Sequence, residues 1–274
     1  MKKVFQLLVI IIILSTGCEE QAVIVPEFTA PETGRVVLVE ELTGVSCPNC
    51  PAGIAVINFI LDEFDGNVVT YGVHGLNQTK PKDDSKYDFR NDDAIDLEES
   101  LKPFFGKPAA AINRVLFSGQ DHVSNTSRDL WPSMVEQELL KPQQLAIFLD
   151  SSFDEDTRTA TINVGVKAII ALAGELQVHV SITESHLIDP QDDVNRTIPD
   201  YEHNHVLKDI LTQLNGDVLT TDITANEIIN RTYQYTVPDE LNGEWIPENM
   251  EIVAFVTSSS NGGEVLQAAT IYLK

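Results

Sequence analysis

Cys47 and Cys50 stand with two residues between them in Gly44-Val45-Ser46-Cys47-Pro48-Asn49-Cys50-Pro51. At that spacing one helical turn brings the sulfurs within bonding reach, so the pair can close and reopen with little backbone movement, or stay closed as a small staple. An apolar strand pattern precedes the pair and a helical one follows. A thiol at such a junction faces the unsatisfied N–H groups of the first turn, and the helix dipole stabilises its thiolate. Cys47 is therefore the candidate nucleophile and Cys50 the resolving thiol. Pro48 suits the first helical position, where a missing N–H loses nothing. With Cys47 as the cap, Pro51 fits less comfortably.

The elements that must hold this pair are legible on either side. Val36-Val37-Leu38-Val39 is continuously apolar, as expected of a strand covered on both faces. Ile54, Val56, Ile57, Ile60, Leu61 and Phe64 recur at helical spacing until Gly66, and Val68 to Val73 reads as a second strand. Strand, helix, strand is a parallel crossover unit. A long polar segment, His74 to Asp92, precedes a helix over 93–105, a third strand over 109–117 behind Pro108, and a helix over 128–140. His74 ends its strand on the same sheet edge as the cysteines, where an imidazole stabilises a thiolate; a surface histidine at a loop start is the plainer reading.

The compartment bears on what the cysteines do. Met1-Lys2-Lys3, the apolar run Val4 to Leu14 and Ser15-Thr16-Gly17-Cys18 form a secretory signal, too short to span a bilayer comfortably. Leu14 to Cys18 resembles a bacterial lipobox, with its leucine one place further from the cysteine than is usual. That resemblance implies cleavage of residues 1–17, lipidation of Cys18, and an acylated tether over 18–34. The three cysteines then resolve as one anchor and one pair. The formal charge of −24 becomes more negative on loss of Lys2 and Lys3, which disfavours nucleic acid and anionic lipid as partners of the folded body. Membrane attachment falls to the acyl chains.

The 274 residues have room for two ordinary domains, expected at 35–142 and 143–274. The order of elements, with a CxxC at the first crossover and a proline opening a later strand, resembles the thioredoxin-like fold. That resemblance implies a cis bond before Pro108, with its loop against the disulfide and its backbone free to pair with an extended thiol substrate. It also implies a buried acid at Glu41, whose raised pKa would let it take the proton of Cys50. An exposed strand end carrying both Glu40 and Glu41 is the alternative.

From Gln143 onward, short alternating segments at 145–149, 160–166, 176–182, 233–237, 250–257 and 266–273 are separated by Asp, Asn, Gly and Ser turns. They suggest an all-β, immunoglobulin-like sandwich without disulfide bracing, since no cysteine follows Cys50. His203 and His205 interrupt it, ahead of Val206, Leu207, Ile210, Leu211 and Leu214 at helical spacing. The two histidines either hydrogen-bond a linker onto the sandwich or reach a metal with Glu202 or Asp200; the former is expected, with no metal and no cofactor.

Val37 to Gly44, the Cys47/Cys50 pair with Pro51-Ala52-Gly53, Pro108 to Arg114, and Tyr201 to Leu207 together resemble the 28-kilodalton outer-membrane lipoprotein family. The resemblance implies an exported lipoprotein of the cell envelope, at the outer membrane, with a thioredoxin-like front and a β-rich rear. Two functions follow as expectations. In one, the protein exchanges disulfides with protein thiols of the envelope through Cys47, Cys50, Pro108 and Glu41. In the other, the disulfide is structural and the sandwich or the 74–92 loop binds a partner.

Overall fold

The computed structural model describes residues 34–274. The signal segment 1–17, the lipidation site Cys18 and nearly all of the tether lie outside the described residues. The front of the chain runs β1 (Val37–Leu42), α1 (Cys50–Glu63), β2 (Val68–Val73), α2 (Asp92–Ser100), β3 (Ala109–Ile112), β4 (Ser124–Asn125) and α3 (Trp131–Leu139). The rear continues with β5 (Leu145–Asp154), β6 (Thr159–Ala168), β7 (Leu172–Glu184), β8 (Leu187–Asp193), β9 (Arg196–His203), β10 (Val206–Ile210), β11 (Asp217–Ile223), β12 (Ile228–Thr236), β13 (Met250–Ser258) and β14 (Glu264–Tyr272).

The expected fold class, an α/β thioredoxin-like domain followed by an all-β immunoglobulin-like sandwich, is corrected by the sheet topology. The described residues are mostly strand, with few helices, and among them no self-contained thioredoxin-like α/β domain is evident. One nine-stranded sheet runs β14-β13-β7-β10-β2-β1-β3-β4, with β11 added on β7, so front and rear strands share a single sheet. The joint is narrow: β10 pairs with β2 through Val206 and Gly72, and the Gly72 N–H donates to the His205 carbonyl at 2.7 Å. Gly72 contributes no side chain at this close approach.

Around the joint, the sheet is covered on both faces. Every residue of β1 and of β2 is buried, which is why their sequences show no polar alternation. Val37 and Val39 of β1 pack with Ile57 and Ile60 of α1 and with Trp131 and Val135 of α3. Leu38 and Leu42 face the opposite layer, with Ala94 and Leu97 of α2 and Phe255 of β13. Period-2 alternation therefore sends Glu41 toward α1 and Glu40 away from it. Behind the rear strands, a three-stranded sheet, β12-β6-β5, closes a third core against β7 and β13.

Several elements differ from expectation for local reasons. The helix after the cysteines starts at Cys50 with Asn49 as its cap, so Pro51, not Pro48, occupies the first turn where its missing N–H is harmless. β3 ends at Ile112 because Asn113 and Arg114 turn left-handed, with φ of 47° and 52°. Asn113 then accepts the Leu38 N–H at 2.8 Å, and Arg114 swings toward Glu40. The segment 206–214, expected as a helix, opens with strand β10. Its apolar residues are spaced by three and four because they serve different cores: Val206 packs with Leu187 and Phe89, Leu207 with the α2 layer, and Leu211 with the rear core.

Candidate redox site

Cys47 and Cys50 are disulfide-bonded, with α-carbons 5.4 Å apart. Cys47 lies in a tight turn ahead of the helix: its N–H donates to the Gly44 carbonyl at 3.0 Å, and the Cys50 N–H donates to its own carbonyl at 3.2 Å. Both cysteines are 0% exposed. The sequence leads one to expect Cys47 as a nucleophile at the helix start. In the closed disulfide the rear of the chain covers it.

The cover is β8. Gln191 reaches in and donates from Nε2 to the Gly44 carbonyl at 3.2 Å and to the Cys47 carbonyl at 3.1 Å. The Asp192 N–H donates to the Val45 carbonyl at 2.8 Å, and its carboxylate pairs with Lys82 at 2.7 Å. The 74–92 loop is the second layer of the same cover. Ser46 bonds the carbonyls of Gln78 and Lys80, Lys86 bonds Asp189, and the Tyr87 hydroxyl bonds the Asn242 carbonyl. Val45, Tyr87, Phe89, Leu187 and Val206 form a small apolar core between these pieces. The loop is thus fastened onto the β8–β9 hairpin along much of its length.

Both glutamates of β1 are buried, and their environments differ. Glu40 accepts a bidentate pair from Arg114 at 2.9 and 2.7 Å and a third bond from the Tyr71 hydroxyl at 2.7 Å. Its charge is fully matched. Glu41 sits between small residues on the adjacent strands, Gly72 and Ala110, and against the first turns of α1. A β-carbon added at Gly53 would lie 3.3 Å from Glu41 Oε1 and 2.7 Å from the Pro108 ring, which places the acid, the helix and Pro108 in one contact. Glu41 Oε1 has no hydrogen-bond partner. Desolvation pushes its pKa from 4.5 up to about 8, opposed in part by Lys107. Lys107 is itself committed, bonding the Thr43 carbonyl and pairing with Glu98, both at 2.8 Å.

The Lys107–Pro108 bond is cis. Beside it an open groove of about 450 Å³ is lined by Asn49 of the CxxC turn, Phe105 to Pro108 and Thr126 to Asp129. Phe105, on its rim, is 88% exposed.

His74 is buried, its ring 5.1 Å from that of Phe89 and 6.1 Å from that of His203. Burial, with the neighbouring His203, holds its pKa well below the usual value, so it is a neutral imidazole with no positive charge to offer a thiolate. Burial likewise lowers His203 to about 4. His205 turns away to Glu251, with Nδ1 at 2.9 Å. Among the described residues no group of three or more His, Cys, Asp and Glu side chains is placed to hold a metal ion. Sequence reasoning missed Gln191, Lys107 and Arg114, whose roles depend on partners far along the chain.

The fold and the pair together define a strand-rich protein carrying a CxxC disulfide sealed beneath its own rear hairpin. A family model for outer membrane protein Omp28 matches residues 103–272, and the chain belongs to that family. It is a protein of the cell envelope, at the outer membrane. Among solved structures, HBP35 of Porphyromonas gingivalis is 16% identical over 88% of this chain and 76% of its own, with a TM-score of 0.67, which shows a shared fold. A domain of the outer membrane lipoprotein Omp28 from Porphyromonas gingivalis is 20% identical over 48% of this chain and 88% of its own, with a TM-score of 0.33, too loose a match to carry an argument. No curated protein matches the chain.

Proposed function

We propose that this outer-membrane protein is a lipoprotein, anchored through Cys18, that exchanges disulfides with protein thiols of the cell envelope. The observation that carries the reading is Glu41. Holding a carboxyl at about 8 rather than 4.5 costs the fold about 3 kcal/mol at neutral pH. A disulfide closing a four-residue loop stabilises by only about 2 kcal/mol in the chain-entropy account. A staple gains nothing from an unsatisfied acid one helical turn away, whereas a resolving thiol needs a base there.

In the reducing direction the Cys47 thiolate attacks a partner's disulfide, forming a Cys47–partner bond and releasing the partner's other sulfur as a thiolate. Cys50 then gives its proton to the Glu41 carboxylate and attacks the Cys47 sulfur. The Cys47–Cys50 bond forms, the Cys47–partner bond breaks, and two electrons have passed to the partner. Oxidation of a dithiol is the reverse. The groove between Asn49 and Pro108 offers the partner's chain a seat beside the pair. The sulfurs are covered in the disulfide form, so turnover requires the Gln191 contacts to part.

That cover favours a second reading, in which the disulfide is permanent and only braces the turn under β8. Trapping separates the two. Cys50→Ala should accumulate mixed disulfides through Cys47 in envelope extracts, and Cys47→Ala should not. Equal, empty lanes for both variants, with a reduction potential below ~−300 mV, would assign the pair to structure.

A further inference from the structure

Four buried polar atoms lack a hydrogen-bond partner and belong to residues lining one cavity: Glu41 Oε1, Thr43 Oγ1, His74 Nδ1 and His203 Nε2. The cavity measures about 60 Å³ and lies between α1 and the stretch from Tyr201 to His205. One water occupies about 30 Å³ of liquid and needs two to four polar partners, so both the volume and the atoms fit ordered water. Each ring already has one backbone hydrogen bond, His74 with Gly72 and His203 with Asp189, which fixes its orientation and leaves the other nitrogen for the cavity. At the outer end, Asn58, Glu202 and Asn204 line the same cavity and are exposed. The cavity therefore connects the buried acid with the surface.

We propose that this cavity holds ordered water and that His74 and His203 position it as the path by which the proton passing between Cys50 and Glu41 is exchanged with solvent. The proposal rests on the exchange reading above. It answers a need which that reading creates. Glu41 holds a proton below about pH 8 and must release it to solvent before it can take that of Cys50, in the first turnover as in each later one, and α1 and the 201–205 stretch stand between it and bulk water. Neutral imidazoles suit the task, because the one nitrogen each turns to the cavity can accept a hydrogen bond and hold the water in place while its backbone bond fixes the ring. Nothing cationic in the cavity wall competes. The charged groups that act on the His74 ring are Lys107, paired with Glu98, and Lys208, paired with Glu184 and Glu244. Tyr201 completes the wall, and Glu202 and His205 with Glu251 stand at the rim.

The test uses the full chain, reduced and mixed with excess oxidised glutathione, with the closing step followed in single turnover between about pH 6 and pH 8. Glu41→Gln should slow closing by ~100-fold, and His203→Phe by ~10-fold because it acts through Glu41. Phenylalanine keeps the ring packed against Phe89 but removes the nitrogen. His203→Gln should stay close to the wild-type rate, and all His203 variants should keep the wild-type equilibrium constant with glutathione. If His203→Phe does not fold, His203→Ala with and without added imidazole decides, since free imidazole in the vacated space restores the lost hydrogen-bonding nitrogen. Wild-type closing in His203→Phe or Ala, or a loss that imidazole does not repair, overturns the water path while a slow Glu41→Gln leaves the exchange reading standing. Wild-type closing in Glu41→Gln overturns both.

Discussion

Glu41→Gln should stabilise the folded protein, and by an amount that grows with pH. The carboxyl is pushed from 4.5 to about 8 by burial. For an acid shifted this way the native state keeps a proton that the unfolded chain has released. Stability present below about pH 4.5 is therefore lost progressively as the pH rises toward 8. Each unit of pH across that window is worth about 1.4 kcal/mol, so the cost is close to zero at pH 4 and about 3 kcal/mol at pH 7. Glutamine matches the neutral acid in shape and carries no such cost. The variant should therefore equal wild type near pH 4 and exceed it by up to about 3 kcal/mol at pH 7.

Urea unfolding with the disulfide intact, at several pH values and with the m-value checked for constancy, measures the difference directly. His203, held down to about 4, adds a slope of opposite sign between about pH 6.5 and 4, where the unfolded chain binds the proton first. Subtracting wild type from variant removes it. A stability difference that does not change with pH would mean that Glu41 titrates as an ordinary surface acid, and the case for a poised proton acceptor would fall with it.

Two further outcomes test the frame around the site. Gln191→Ala removes both side-chain bonds that tie β8 to the CxxC turn, so reduction of the disulfide by dithiothreitol should become several-fold faster; an unchanged rate would show that β8 does not control access. Glu40→Ala leaves the Arg114 guanidinium without its carboxylate and should destabilise the fold by about 3–5 kcal/mol in urea. A loss under about 1 kcal/mol would mean that Arg114 finds solvent or another partner.

The parts of the fold visible in the sequence are those where one run of residues faces one environment. β1 and β2 are buried on both faces and read as continuous apolar runs, and α1 shows Ile57 and Ile60 at helical spacing because a single layer receives them. β8 and β9 were missed because Asp189, Pro190, Gln191, Asp192 and Asp193 carry the composition of a turn. Their role is to lay polar backbone over another polar turn. β10 was misread because Val206, Leu207 and Leu211 supply three cores, and residues serving three cores imitate a helical face. The fusion of front and rear strands into one sheet hangs on the pairing of Val206 with Gly72, for which no local pattern exists.

The site follows the same rule. Cys47 and Cys50 could be named from spacing because their chemistry is local, and Pro108 from the resemblance in the order of elements. Whether Glu41 is an exposed end or a sealed acid could not, since that is settled by Gly53 beneath it, by Pro108 beside it and by the 201–205 stretch across the cavity. The same distant stretch supplies His203, and its strand partner β8 supplies Gln191 over the sulfurs. A redox pair with its base could have stood on the front strands alone. Here the rear of the chain both closes the pair and walls the cavity that Glu41 lines, so on the exchange reading one hairpin would govern access to the sulfurs and traffic of the proton. An exchange protein built this way would couple the two: a partner that lifts β8 to reach Cys47 also disturbs the wall that holds His203. Reduction and reprotonation would then be tied to the same docking event, which is a reason for a sealed CxxC to keep a costly acid beneath it.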